Sequence, residues 1–247
     1  MKLGESYLYR FVFFSGLLFS GMGYFNHSLT SGLPAHEYHS GFTFFPLALE
    51  LSSSYENIMN IVGKVGDENL AKNLGLILQT LELDFLYIFL YSIYFLSIFE
   101  IASKMSSPPA IVRAFYYLLL IFIILLDCAQ NFILSEILNS NLSNPKLDLI
   151  YYLPRMSLIL WNLIFLNLGI SGVLLWMGSP DIHIRIISLF FFLPPIFSLF
   201  SVFGRVNLIE VALQVSIPGL VGFFMQSIWK MVTDLLFSRS VTSSIKQ

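Results

Sequence analysis

RAFYYLLLIFIILLDCAQNFILSEI, residues 113–137, is the stretch that decides the fold. It opens on a basic residue, Arg113, and then runs from Ala114 to Leu126 without a charge. There is no alternation of apolar and polar positions, so a half-buried strand does not fit. As a helix rising about 1.5 Å per residue it reaches about 37 Å, more than the roughly 30 Å of a bilayer's hydrocarbon core. The stretch predicts a transmembrane helix. Asp127 breaks the run, with Gln130 and Asn131 just after it. Such polarity is costly against lipid and must turn toward protein or a wet cavity.

The rest of the 247-residue chain has the same character. Apolar residues make up 56% of it and charged residues 11%, with 25 Phe and 12 Tyr. Soluble domains carry about 25% charge to cover their surface. A soluble globular domain and a disordered chain are both excluded on that ground. The net charge is -2 and the bases are scattered, so no nucleic-acid partner is expected. The single cysteine, Cys128, cannot form an intrachain disulfide, and its apolar neighbours suit an inert buried thiol.

Six apolar stretches can cross: about residues 10–25, 81–103, 113–137, 156–177, 184–203 and 208–231. The fold class expected is therefore all-α, a polytopic bundle of about six transmembrane helices in one membrane domain spanning 1–247. The first stretch is short and follows Lys2 and Arg10, as in a signal peptide. Its aromatic flank, Tyr7 and Tyr9, favours a retained span. The last two stretches are interrupted by Pro194-Pro195 and by Pro218. With the N-terminus inside, Lys2, Arg10, Lys104, Arg113, Arg185, Lys230, Arg239 and Lys246 fall inside. Lys64, Lys72, Lys146, Arg155 and Arg205 fall outside. The excess of bases inside predicts that both termini are cytoplasmic.

Residues 26–80 form the one long connection, an extracytoplasmic loop. Ser54 is placed to cap an amphipathic helix carrying Ile58, Ile61 and Val62 on one side. A second helix starts near Glu68 and can run unbroken into the next span. Phe42 to Pro46 reads as a re-entrant or interfacial element. His36, Glu37 and His39 lie close together, but their spacing matches no metal motif, and no metal or cofactor is expected.

Ionisable residues within spans single out a site. Glu100 has Lys104 one turn on and reads as an interfacial pair. Glu210 lies beside Arg205 and Asn207 and also reads as interfacial. Asp127 has no such neighbour. Asp84 opens the preceding span, with Tyr87 and Tyr91 on its face at i+3 and i+7. Arg155 opens the following span, with Asn162 on its face. In an antiparallel arrangement Asp84, Tyr87, Tyr91, Asp127, Gln130, Asn131, Arg155 and Asn162 form one intramembrane polar cluster in the outer half of the bundle. Such a cluster either clamps helices together or lines a cavity for a polar ligand, proton or ion. There is no serine elbow, phosphate loop or Cys–His pair, so no catalytic residue is assigned and enzymatic activity is left open.

FPLALELSSSYENIMNIVG, LELDFLYIFLYS and LLDCAQNFIL together resemble a family of small, uncharacterised bacterial multi-pass membrane proteins. The resemblance rests on an Asp-x-x-Phe/Tyr-x-x-x-Tyr pattern, here Asp84, Tyr87 and Tyr91. It rests also on an Asp-x-x-Glu/Gln-Asn pattern in the next span, here Asp127, Gln130 and Asn131. Gln130 stands where the resemblance favours an acid. The likeness covers about residues 10–178. It implies a bacterial inner-membrane location and supplies no activity, substrate or cofactor.

The function expected from the sequence is a structural or partner-binding envelope component. It would meet the lipid bilayer and a membrane-protein partner or a second copy of itself. The alternative is a small-solute or ion/proton transporter built on the polar cluster around Asp127.

Overall fold

A computed structural model of the chain describes residues 3–31, 33, 41–63, 66–140 and 145–244. His36, Glu37 and His39 lie outside the described residues, as does Lys64. All regular structure among the described residues is helical: α1 (Leu3–Thr30), α2 (Phe45–Glu50), α3 (Tyr55–Val62), α4 (Leu70–Ser106), α5 (Ala110–Leu138), α6 (Leu147–Gly178), α7 (Ile182–Ser201) and α8 (Leu208–Ser244). Six of these, α1 and α4 to α8, are long and apolar enough to cross a membrane. The all-α polytopic bundle read from the sequence is the architecture found.

The packing is inside-out relative to a soluble protein. Helix α5 shows it most plainly. Ile111, Phe115, Leu118, Phe122, Leu125 and Phe132 are exposed on its outer face. Asp127, Gln130 and Asn131 are buried on its inner face with Tyr116, Leu120 and Ile123.

Helices α4 and α6 are the centre of the bundle. Helix α4 packs on α1, α5 and α6, α6 also packs on α5 and α7, and α8 joins α7 to α1. Small residues allow the closest approaches. A Cβ on Gly169 would stand 2.6 Å from the Pro195 ring, and one on Gly172 would stand 2.9 Å from the Ser188 carbonyl. Glycine therefore lets α6 lie directly against α7. The Pro194-Pro195 and Pro218 interruptions do not break their helices, which correct that expectation: α7 and α8 run through them. The prolines leave the Phe190 and Phe191 carbonyls without their amide donors, and Ser198 Oγ donates further along, to the Pro195 carbonyl, over 3.0 Å.

The connection between α1 and α4 is structured by local chemistry. Ser54 Oγ accepts from the Asn57 amide at 3.2 Å and starts α3 as a capping serine should. Gly63, at φ 123°, ends it with a backbone conformation that side chains resist. Helix α4 then begins at Leu70 and continues without interruption to Ser106. At 37 residues it extends about 55 Å, well beyond the hydrocarbon thickness. The Phe42 to Pro46 element proves to be the entry to α2, with Pro46 in its first turn, where a missing amide donor costs nothing. Leu47, Ala48 and Leu49 bury that helix in the bundle.

Two interfacial pairings differ from expectation. Glu100 takes a hydrogen bond from Tyr117 Oη at 2.5 Å, on α5, rather than pairing with the exposed Lys104. Glu210 is buried and turned away from the exposed Arg205. Its carboxylate accepts from the Thr43 amide at 3.0 Å and from the Thr43 hydroxyl. In both cases the helix ends bring a fixed donor from another segment closer than the flexible base.

Candidate functional site

A cavity of about 370 Å³ opens at the end of the bundle that carries α2 and α3. Five membrane-crossing helices contribute to its wall, α1, α4, α5, α6 and α8, and residues 43–50 cover it. Its volume lies in the range of small-molecule sites.

Helix α4 supplies Asp84, Tyr87 and Tyr91 to this wall, and α5 supplies Asp127 and Asn131. Both sets follow from helical spacing, since i, i+3, i+4 and i+7 share a face. Each aspartate has one donor. Asn131 Nδ2 donates to Asp84 Oδ2 over 2.7 Å, and Tyr91 Oη donates to Asp127 Oδ2 over 2.6 Å. The two hydrogen bonds cross between α4 and α5 and tie them in register. Tyr87 meets Tyr91 edge-on, with ring centroids 6.0 Å apart.

Glu50 is the residue that the sequence reading missed. It ends α2, and its Oε2 accepts from the Trp161 indole N–H on α6 at 2.7 Å. Its backbone carbonyl accepts from Ser157 Oγ at 2.9 Å, so α2 is held to α6 at two points. Burial pushes the Glu50 carboxyl from about 4.5 up to about 7. The hydrogen bond from Trp161 and the nearby Gln130 amide oppose the rise, and the charge of Asp84 adds to it. No pattern in residues 41–51 marks Glu50. The only available signal was an acid at the end of an apolar run behind a proline.

Gln130 is fully buried beside the Glu50 carboxyl. Neither its Oε1 nor its Nε2 completes a hydrogen bond of normal geometry. It stands just behind the cavity wall rather than on it. Two expected members are not part of the cluster. Arg155 is exposed, with its guanidinium 3.9 Å over the Tyr151 ring and Nη2 donating to Tyr151 Oη at 2.5 Å. Asn162 donates to the Leu158 carbonyl of its own helix at 2.8 Å. Arg155 lies on the outer side with the exposed Ile159, whereas Asn162 is half-buried, its Oδ1 enclosed without a partner among the described residues, and is not part of the cavity lining. The inner face of α6 holds Ser157, Leu160, Trp161 and Ile164 instead.

With Arg155 absent, the balance of charge at the site is strongly acidic. Glu50, Asp84 and Asp127 line one cavity and act on one another electrostatically. The one basic side chain among the described lining residues is His27, exposed near the end of α1. The one ion pair among the described residues is Lys146 with Glu136, both on the surface. No group of three or more His, Cys, Asp or Glu among the described residues is spaced to hold a metal ion. The arrangement can bind positive charge or exchange protons. It holds no nucleophile with an adjacent base.

No protein-family model, curated protein or solved structure matches this chain.

Proposed function

We propose that this multi-pass membrane protein binds a small cationic solute in the cavity and carries it, or protons in exchange for it, across the bilayer. One observation carries the reading. Three carboxylates, Glu50, Asp84 and Asp127, face a common cavity and form no ion pair among the described residues. Burying acids together is unfavourable unless they are neutralised by protons or by a cation. A clamp whose only task was to hold α4 to α5 would be served by the Asp84–Asn131 and Tyr91–Asp127 hydrogen bonds within a filled core. It has no need of an open volume or of a third acid.

The resemblance noted in the sequence supports a bacterial inner membrane as its location. The bias of basic residues supports cytoplasmic termini, with the cavity opening to the outside.

Liposomes containing the purified chain and an internal pH dye test the function. Gradients of sodium, potassium, tetramethylammonium or phenethylammonium chloride are imposed, and proton movement is followed. At least one gradient should drive movement above that in protein-free liposomes, and Asp127→Asn should abolish it. No movement with any gradient, or equal movement in the variant, returns the protein to a structural or partner-binding role in the envelope.

A further inference from the structure

We propose that the solute is an organic ammonium ion, its charged nitrogen held against the acidic wall to which Glu50, Asp84 and Asp127 contribute and its apolar part laid on the aromatic wall beside them. The inference rests on the cation-binding reading above and narrows its ligand class. It draws on features that a proton site or an inorganic ion site does not need.

The first is the character of the wall. Phe19 of α1 stacks on Tyr87 at 5.2 Å between centroids, Tyr87 meets Tyr91, and Tyr91 packs on Phe95 at 5.3 Å. Trp161 and Phe165 pack together on α6 at 5.7 Å. All six rings line the cavity. Aromatic faces attract ammonium groups through their quadrupoles, and the attraction grows when water is excluded. The same faces provide an apolar surface that a hydrated sodium or potassium ion cannot use.

The second is the state of the polar groups. Asp84 and Asp127 each receive one protein hydrogen bond across the α4–α5 interface, and Glu50 receives one from Trp161. An ionised carboxylate has about four acceptor positions. Acceptor capacity therefore remains on all three, which suits the several donors of an ammonium group. Gln130, wholly buried behind the wall, lies beside Glu50 and opposes the rise of its carboxyl without filling the face of Glu50 that borders the cavity.

The third is spacing. The carboxylates are on three different segments, α2, α4 and α5, and do not converge as ligands of a single metal ion. They border a volume of about 370 Å³. Separated acids around such a space fit an extended cation better than a bare one.

The test compares phenethylammonium with its neutral analogue, 2-phenylethanol, on the full-length protein in detergent, by titration calorimetry and by the change in tryptophan fluorescence, with Trp176→Phe and Trp229→Phe leaving Trp161 as the reporter. Phenethylammonium should bind saturably at one site per chain. 2-Phenylethanol should bind at least tenfold more weakly, and sodium chloride at equal ionic strength should not displace the amine. Asp84→Asn should weaken amine binding about tenfold without changing the binding of the alcohol. The calorimetric comparison on the wild type requires no variant, so a poorly folded mutant does not spoil it. Equal binding of amine and alcohol, or no saturable binding of the amine, overturns the proposal. If inorganic cations still drive Asp127-dependent proton movement in liposomes, only the ligand class has failed. If they do not, the cation-binding reading has failed with it.

Discussion

The Trp161 indole N–H and the Glu50 carboxylate, 2.7 Å apart, join a six-residue helix outside the spans to the central helix α6. The bond places an acid at the cavity wall and supplies one of the few donors it has. Trp161→Phe keeps the ring and removes the donor. Loss of a hydrogen bond to a buried charged group costs about 1–3 kcal/mol. The variant should melt at lower temperature in detergent, with the larger deficit at pH 8, where Glu50 is ionised. An equal deficit at pH 5 and pH 8 would assign the loss to ring packing.

Glu50 also sets a pH dependence whose sign is defined. Its carboxyl is raised from about 4.5 to about 7 in the folded chain. Between those values the folded state keeps a proton that the unfolded state has released. Stability is therefore greatest below about pH 4.5 on this account and falls as pH rises to about 7, by up to roughly 3 kcal/mol, then levels off. Glu50→Gln should remove that part of the slope, leaving the variant relatively more stable at pH 8 than at pH 5. Melting curves of both proteins across pH 4.5 to 8 supply the comparison. Parallel curves would mean that Glu50 does not carry the effect.

The two hydrogen bonds between α4 and α5 can be separated. Tyr91→Phe leaves Asp127 without its donor, and Asn131→Leu does the same to Asp84. Each should cost about 1–3 kcal/mol. Tyr91→Phe preserves the aromatic wall, so phenethylammonium affinity should change less than threefold. Should Tyr91→Phe abolish binding while the protein stays folded, the hydroxyl itself contacts the ligand.

Glycine positions give a structural control. A Cβ on Gly178 would lie 2.6 Å from the Met105 carbonyl carbon and the Ser106 amide nitrogen, both backbone atoms that cannot swing aside. Gly178→Ala should destabilise by about 1–3 kcal/mol, the usual range for overpacking. Gly75 lies within α4 and has no neighbour within 4 Å of such a Cβ. Gly75→Ala should be neutral or stabilising by about 0.5–1 kcal/mol. Midpoints of thermal unfolding for the two variants, measured together, decide the point.

Much of the fold was legible because lipid imposes a strong rule on composition. Residues 113–137 could not be read otherwise, and the faces of α4 and α5 followed from helical spacing alone. Asp84, Tyr87, Tyr91, Asp127 and Asn131 meet at one wall for that reason. Helix α6 was harder. Spacing gives a helix no absolute rotation, and Arg155 proved to be exposed while Asn162 is half-buried but outside the cavity lining. Trp161 and Ser157, one step round, are the inward pair. Glu50 was out of reach for another reason. Its place depends on a tertiary contact between a short helix and a span more than a hundred positions away, for which residues 41–51 carry no local mark. The Glu210–Thr43 contact was lost in the same way, hidden behind a plausible basic neighbour.

The glycine contacts of α7 bear on how the chain is made. Pro194 and Pro195 remove two amide donors from its middle, and glycines on both neighbours meet this part of it, Gly169 at Pro195 and Gly219 at Phe190 and Phe191. Alone in lipid, α7 would present unpaired carbonyls to hydrocarbon. The packing of α7 is complete only once α8, whose Gly219 lies against Phe190 and Phe191, has followed it out of the insertion machinery. Truncation before α8 should leave a chain that quality-control proteases remove, even though every cavity-lining carboxylate has already been synthesised.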